Sequence, residues 1–281
     1  MDFSIKENVL IDKIIEQTLL EDIGTGDITT ESIIPSNLKA KGIIKTSEEG
    51  VVAGLDMVFL VFKKLDSEIC FQPKIKDGNK ILPGEILGEI TGPARTILKG
   101  ERVALNFLQR MSGIATITSK FYHEVKDLPV RIIDTRKTTP GLRILEKYAV
   151  RMGGGHNHRF GLYDAVLIKD NHIAVAGGIK SAVNSVRKQI SHTVKIEVEV
   201  ENLSQLQEVL KVQVNIIMLD NMDLESMKEA VKMFKGKALI EASGGITLEK
   251  VREIAQTGVD LISVGALTHS VKSLDISMEI I

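Results

Sequence analysis

The chain carries one cysteine, Cys70, so no intrachain disulfide can form and a reducing, cytoplasmic setting is the simpler expectation. Tryptophan is absent and aromatics reach only 4%, poor provision for stacking nucleic-acid bases. No long hydrophobic run is present: the longest apolar stretch, around Val51 to Phe62, is broken by Asp56, so nothing reads as a membrane span. The opening Met1-Asp2-Phe3-Ser4-Ile5-Lys6-Glu7, with Asp12 and Lys13 soon after, interrupts any secretory core. Neither charge sign dominates, since 36 basic residues meet 37 acidic ones. That balance argues against a protein whose main task is coating nucleic acid or an anionic membrane. What remains is an ordinary globular composition over 281 residues, 43% hydrophobic and 26% charged, enough for one large domain or two modest ones.

The first hundred residues have the texture of an α+β domain, with short apolar runs such as Lys41 to Lys45 and Glu85 to Ile90 set off by turns at Asp77-Gly78 and Pro83-Gly84. Three- and four-residue recurrence of Leu98, Leu105, Leu108, Met111 and Ala115 predicts a helix from about Arg95 to Tyr122. Arg102, Asn106, Gln109 and Arg110 fall largely off that stripe and read as its solvated face. From Val130 onward, apolar bursts at 130–133, 165–168, 195–200, 215–219, 238–240 and 261–264 alternate with amphipathic segments, the pattern of buried parallel strands joined by helices. The bursts close on or contain Asp134, Lys169, Glu199, Asp220, Glu241 and Gly265. Polar groups at the C-terminal ends of successive parallel strands meet at one mouth. A doubly wound sheet usually opens with a glycine-rich turn, which Asp134-Thr135-Arg136-Lys137 is not. The expectation is an N-terminal α/β domain over 1–112 and an incomplete, six-stranded α/β barrel over 113–281, with the last residues left open to rejoin the first domain.

Charge is unevenly spread along that barrel. Arg131 to His172 holds eight basic side chains against four acidic ones, besides His156, His158 and His172. Arginine forks and lysine point charges together suit a ligand with several anionic groups. Arg143, Lys147 and Arg151, four apart, read instead as the wet face of a helix. Acids take over later: Glu197, Glu199 and Glu201 share one side of a strand, followed by Asp220 and Glu241. One or two of the three glutamates are expected near the site, since all three cannot be buried and ionised unpaired. Carboxylates opposite a basic half suit Mg²⁺ held partly through water. Ser243-Gly244-Gly245, before a helix expected near Thr247, and Val264-Gly265-Ala266 are candidate phosphate cradles on the last two strands.

Other readings compete at single positions. His156 and His158 could form half of a zinc site, but neither cysteines nor a His-Glu-x-x-His frame accompany them. Gly153-Gly154-Gly155 reads as a helix end that lets the loop approach a ligand. Lys169 at a strand end could form a Schiff base. A basic face binding RNA on an inert barrel is a further alternative, weakened by the scarcity of aromatics.

The motifs Asp134-Thr135-Arg136-Lys137-Thr138-Thr139-Pro140-Gly141, Gly153-Gly154-Gly155-His156-Asn157-His158-Arg159 and Leu167-Ile168-Lys169-Asp170-Asn171-His172 strongly resemble the quinolinate phosphoribosyltransferase family. Gly100 to Asn106, Glu197 to Glu201, Leu219-Asp220-Asn221 and Glu241 to Ile246 extend the resemblance over nearly the whole chain, as does Glu21 to Thr30. It implies an N-terminal α/β sandwich, an incomplete barrel and a homodimer in which one subunit's N-terminal domain covers the other's barrel mouth. It implies phosphoribosyl transfer from phosphoribosyl pyrophosphate to quinolinate with decarboxylation, using Mg²⁺. Arg102, from the partner subunit, with Arg136, His158, Arg159 and Lys169 would bind quinolinate, Thr135 would belong to the substrate-binding set, and Lys137 would sit between the two substrates. Glu199 and Asp220 would face the ribose and its Mg²⁺, through water, while Ser243, Gly244, Gly245, Val264, Gly265 and Ala266 would hold the 5′-phosphate. Lys137, Glu199 and Asp220 are the residues the resemblance marks as catalytic. Met152 departs from a cysteine common in that family and is expected to affect packing. A relative associated with molybdenum transport operons is the alternative of similar fold.

Overall fold

The structure is a computed structural model that describes residues 9–281; the opening segment read above as unsuited to secretion lies outside the described residues. In chain order the elements of the first part are α1 (Val9–Ile23), α2 (Ile28–Ile33), β1 (Lys39–Thr46), β2 (Gly50–Val51), α3 (Leu55–Leu65), β3 (Cys70–Pro73), β4 (Lys80–Ile81), β5 (Ile86–Pro93) and α4 (Ala94–Val125). There follow β6 (Arg131–Ile133), α5 (Arg143–Met152), β7 (Val166–Ile168), α6 (Asp170–Ala176), α7 (Ile179–Arg187), β8 (Ile196–Val200) and α8 (Leu203–Leu210). The chain ends with β9 (Ile216–Asp220), α9 (Leu224–Phe234), β10 (Leu239–Ser243), α10 (Val251–Ala255), β11 (Leu261–Ser263), α11 (Ala266–His269) and β12 (Ile276–Ile280).

Two compact units arise from these elements. One comprises the chain to Ser119 with Thr138–Gly154 and Thr268–Ile281; the other comprises Lys120–Lys137 and Gly155–Leu267. The boundary expected at 112 and 113 falls within α4. In the first unit an antiparallel sheet runs β12-β1-β5-β3, so the last strand of the chain pairs with the first. Alternation along β1 buries Gly42, Ile44 and Thr46, and α3 buries Leu55, Met57, Val58, Val61 and Phe62. Burying that many large side chains is what holds so small a sheet together.

Arg102 and Asn106 are exposed as the helix pattern implies, but two other residues expected on wet faces are not free in solvent. Arg110 Nη2 meets Glu146 Oε1 of α5 at 2.6 Å, and Glu146 is only 1% exposed; the same guanidinium donates to Thr139 Oγ1 and the Thr268 carbonyl. Lys147, read as part of a wet helix face, is 2% exposed. The helix carrying it is fixed on several sides, since the Tyr148 hydroxyl donates to Asp77 Oδ2 at 2.8 Å. Four-residue spacing marks a common face and says nothing about which side of the helix the fold covers. Gly153 does end α5, but what demands glycine there is close packing: a Cβ would lie 2.4 Å from the Ala115 carbonyl oxygen of α4.

The second unit is built on six parallel strands in the order β6-β11-β10-β9-β8-β7. Chain order is kept around the sheet and the first strand pairs with the last, the arrangement of a barrel left open between β6 and β7. At the open side His156 bridges Ile133, its N–H donating to the Ile132 carbonyl at 2.8 Å. The six expected strands are all present, with ends within one to three residues of the expected bounds. Short polar caps start the outer helices, Asn202 accepting from the Gln205 N–H and Asp223 from the Ser226 N–H. Among the described residues, no helix is long and apolar enough to cross a membrane.

Candidate active site

Strand register gathers the polar residues of the second unit at one end. Leu167 lies beside Glu197, Glu199 beside Met218 and Ser243 beside Asp220, so Lys169, Glu199, Asp220 and Ser243 stand at successive strand ends. Asp134 follows β6 and Val264-Gly265 follows β11 at the same end, because Ser263 pairs with Ile133.

The cationic part is anchored by Asp134. This carboxylate has no exposed surface. It accepts the Asn157 side-chain amide at 2.6 Å and the His158 N–H at 2.9 Å, fixing the segment that leads into Arg159. Arg159 donates from Nη1 to the Ala165 carbonyl at 3.0 Å, while its buried Nε meets no acceptor. Burial first, and then the charge of Arg136, lower the guanidinium's pKa from the ordinary arginine value, with Glu197 and Asp164 opposing. Two guanidiniums placed to repel each other, one with a donor unspent, form a site that an anion stabilises. Lys169 Nζ bonds Glu199 Oε2 at 2.5 Å, joining the cationic part to the acidic one. Arg136 and Lys137 are exposed, and the Lys137 N–H donates to Thr135 Oγ1.

Beneath these groups lies a cluster that the paired histidines of the sequence do not anticipate. His158 joins Glu197 and Glu241, the ligand atoms of the three lying within 4.8 Å of one another. His156 remains exposed and is not part of the cluster. The Arg159 N–H donates to His158 Nδ1 at 2.7 Å. The ring proton therefore resides on Nε2, which faces Glu197 Oε2 at 3.1 Å and Glu241 Oε2 at 3.8 Å. Of the three alternating glutamates, Glu197 and Glu199 are buried and Glu201 is exposed.

The glycine turn after β10 is a backbone device. Gly244 and Gly245 both adopt positive φ, at 90° and 59°. A Cβ on Gly244 would sit 2.3 Å from Asn221 Oδ1. Asn221, itself at φ 52°, donates its N–H to the Ser243 carbonyl and its side-chain amide to Asp220 Oδ2. Successive turn amides of this kind make an anion-binding concavity. The expected helix near Thr247 begins only at Val251 and spans five residues, and α11 spans four. The turns, rather than long helix dipoles, therefore present the amides.

Residues 27–112 match the family model for the quinolinate phosphoribosyl transferase N-terminal domain, and residues 114–279 match that for its C-terminal domain. The chain belongs to the quinolinate phosphoribosyltransferase family. A probable nicotinate-nucleotide pyrophosphorylase [carboxylating] of Bacillus subtilis is 48% identical over 268 residues, covering 95% of this chain and 92% of that protein. One of Methanocaldococcus jannaschii is 48% identical over 278 residues, covering 96% of each. Among solved structures, NadC from Streptococcus pyogenes superposes with a TM-score of 0.94 at 42% identity, covering 99% of this chain and 98% of that one.

In this member of the quinolinate phosphoribosyltransferase family, Asp134, Asn157, Glu197, Asn221 and Glu241 shape the site; the sequence places Asp134 and Glu241 at its mouth and Glu197 among its candidate carboxylates, but gives none of the five an individual role. Asp134 and Glu241 were visible as strand-closing acids, and Glu197 by its alternation with Glu199. Their partners were not, because the contacts to His158 and Asn157 span 23 to 83 positions in sequence. Arg102 is exposed on α4, in the first unit.

Proposed function

We propose that the chain transfers the phosphoribosyl group of phosphoribosyl pyrophosphate to quinolinate, with loss of CO₂, giving nicotinate mononucleotide and pyrophosphate. Family membership over both domains supports the assignment. The observation that carries it is the half-buried Arg159 guanidinium, with its buried Nε unspent and Arg136 nearby, at the same barrel end as a row of carboxylates. Such a site suits an aromatic diacid brought against an activated sugar.

Arg136, Arg159 and Lys169 bind the two carboxylates, with Thr135 and His158 lining the same pocket, and Arg102 reaches it from the partner subunit of a homodimer. Lys137 lies between diacid and pyrophosphate, and takes up charge as the leaving group departs. Glu199 and Asp220 face the ribose and stabilise positive charge developing at C1′. They also fit Mg²⁺, being hard oxygen donors at the ends of neighbouring strands, with Lys169 at present offsetting the Glu199 charge. Mg²⁺ bound there through water would help neutralise pyrophosphate. The pyridine nitrogen bonds to C1′ as the C1′–O bond to pyrophosphate breaks. The ring nitrogen is then cationic, so the electron pair left on ring carbon 2 as CO₂ departs is stabilised before a proton replaces it. Ser243 to Gly245 and Val264 to Ala266 hold the 5′-phosphate.

Purified protein given quinolinate, phosphoribosyl pyrophosphate and Mg²⁺ should release CO₂ and pyrophosphate in equal amounts. No release from folded protein would overturn the proposal. Nicotinate, with one carboxylate, should be at least about tenfold poorer, because it leaves a donor of the pocket, such as the buried Arg159 Nε, unpaired.

Gly244→Ala should raise KM for phosphoribosyl pyrophosphate by about tenfold or more, since the methyl group both strains a positive-φ residue and displaces Asn221. An unchanged KM would remove the turn from the phosphate site. If Arg102 crosses to the partner's site, inactive Arg102→Ala and Arg159→Ala proteins should complement on mixing. Random exchange makes half the dimers mixed, each with one intact site, so about a quarter of wild-type activity should return. No recovery despite exchange confirmed by mass would place Arg102 outside the shared site.

A further inference from the structure

The mechanism leaves the carboxyl group of Glu241 without a task. It has no exposed surface, and neither of its oxygens meets a hydrogen-bond donor. Glu197, 3% exposed, has one oxygen in the same condition, Oε1, while its Oε2 accepts from His158. Two ionised carboxylates this close and this buried would repel without solvent to screen them. His158 cannot neutralise both as an imidazolium, because its Nδ1 accepts the Arg159 N–H and so carries no proton. The same tautomer leaves Nε2 as a donor with no lone pair for a metal ion, so the trio as arranged is not a ligand set. One proton placed between the glutamates satisfies the buried oxygens facing each other and leaves a single charge for His158 to face.

We propose that Glu241 is a neutral carboxylic acid that donates its proton to Glu197, completing a hydrogen-bonded chain through His158 that positions Arg159. The order is Glu241 O–H to Glu197, His158 Nε2–H to Glu197, and the Arg159 N–H to His158 Nδ1. Glu241 is a positioning residue: it acts on the diacid only through Glu197, His158 and Arg159. His158 serves as a neutral spacer, and the positive charge of the pocket comes from arginine and lysine. Burial first, and then the Glu197 charge beside it, push Glu241 up to about 8 against the opposing pull of His158 and of the Ser263 hydroxyl, in keeping with a proton retained at neutral pH. The groups against Glu241 are Glu197 on β8, His158 in the loop after β6, and on β11 the Ser263 hydroxyl, which donates to the Ala242 carbonyl. Its register neighbour on β9 is the uncharged Met218, and Asp134, after β6, is occupied by the Asn157 side-chain amide and the His158 N–H.

The effect on quinolinate rests on the activity proposed above; the protonation of Glu241 does not, and a spectroscopic measurement tests it separately. Infrared difference spectra of the full-length protein against Glu241→Gln at neutral pH should show a protonated-carboxyl C=O band that the variant lacks. The band should fade as pH rises past about 8. In kinetics, Glu241→Gln keeps a donor of the same shape and should hold KM for quinolinate within about twofold, whereas Glu241→Leu should raise it about tenfold with kcat little changed. Wild-type KM for quinolinate should climb above about pH 8, and Glu241→Gln should lack that climb, a difference that a merely space-filling residue would not produce. Absence of the infrared band, or a folded Glu241→Gln protein with a tenfold higher KM, would overturn the proposal. So would a stoichiometric divalent ion that survives dialysis in wild type and is lost in Glu241→Gln.

Discussion

Arg159→Ala should lower kcat/KM for quinolinate by at least about a hundredfold while the unfolding free energy changes by no more than about 1 kcal/mol. The two halves of that expectation have different causes. Within the folded protein the guanidinium makes one hydrogen bond, to the Ala165 carbonyl, and leaves Nε buried without an acceptor. It also stands close enough to Arg136 for each to resist the other's charge, an opposition that Glu197 and Asp164 only partly offset. Truncation therefore removes one ordinary bond and relieves some repulsion, and the two largely cancel in stability. Binding is another matter, because a carboxylate entering the pocket would satisfy the idle donor and separate the two cations. Losing one partner of a desolvated, charge-assisted pair costs about 2–5 kcal/mol, which is a factor of roughly thirty to several thousand. Thermal melts read beside steady-state kinetics on the same preparations check both halves. A large loss of stability would recast Arg159 as a structural arginine, and an unchanged KM would remove it from the diacid pocket.

Much of this arrangement was legible in sequence because it is local or periodic. Apolar bursts gave six strands, and the residues closing them gave the ring of polar groups at one end, since a parallel strand carries its direction in its order along the chain. Arg110 and Lys147, read as solvated and found otherwise, were misread for one reason. Helical spacing fixes which residues share a face, but Glu146 lies 36 positions from Arg110, and Asp77, which holds Tyr148 on the helix of Lys147, lies 71 positions away. The depth of the site was hidden in the same way. Nothing in the spelling of Glu197-Val198-Glu199 says that the first glutamate faces an acid on β10 and the second a lysine after β7. The paired histidines, set aside as a zinc half-site for want of partner ligands, are turned to different tasks by the backbone pairing of His156 with β6 and the Asp134 anchor on His158.

Asp134→Ala should cost both stability and function, and the split between them shows what the anchor is for. The carboxylate is fully buried and accepts hydrogen bonds from consecutive residues, so its removal takes the partner from the half-buried His158 N–H and from the exposed Asn157 amide. Unmaking a bond to a charged acceptor costs about 1.5–3 kcal/mol where the donor is shielded, and water can replace the acceptor for the exposed Asn157 amide, so the expected destabilisation is about 2 kcal/mol. Function should suffer beyond that. Asn157 and His158 lead directly into Arg159, and an error of about 1 Å in a substrate-positioning group can cost a hundredfold. Asp134→Asn separates the two effects, because its carbonyl oxygen can still accept the His158 N–H while its amide nitrogen meets the Asn157 amide donor. It should therefore retain most of the stability and lose a part of the quinolinate affinity that depends on how far residue 157 retreats. Should Asp134→Ala instead unfold no more readily than wild type, solvent must reach the stranded donors, and the 156–159 segment would then owe its position to the bridge with Ile133 and to the His158–Glu197 contact.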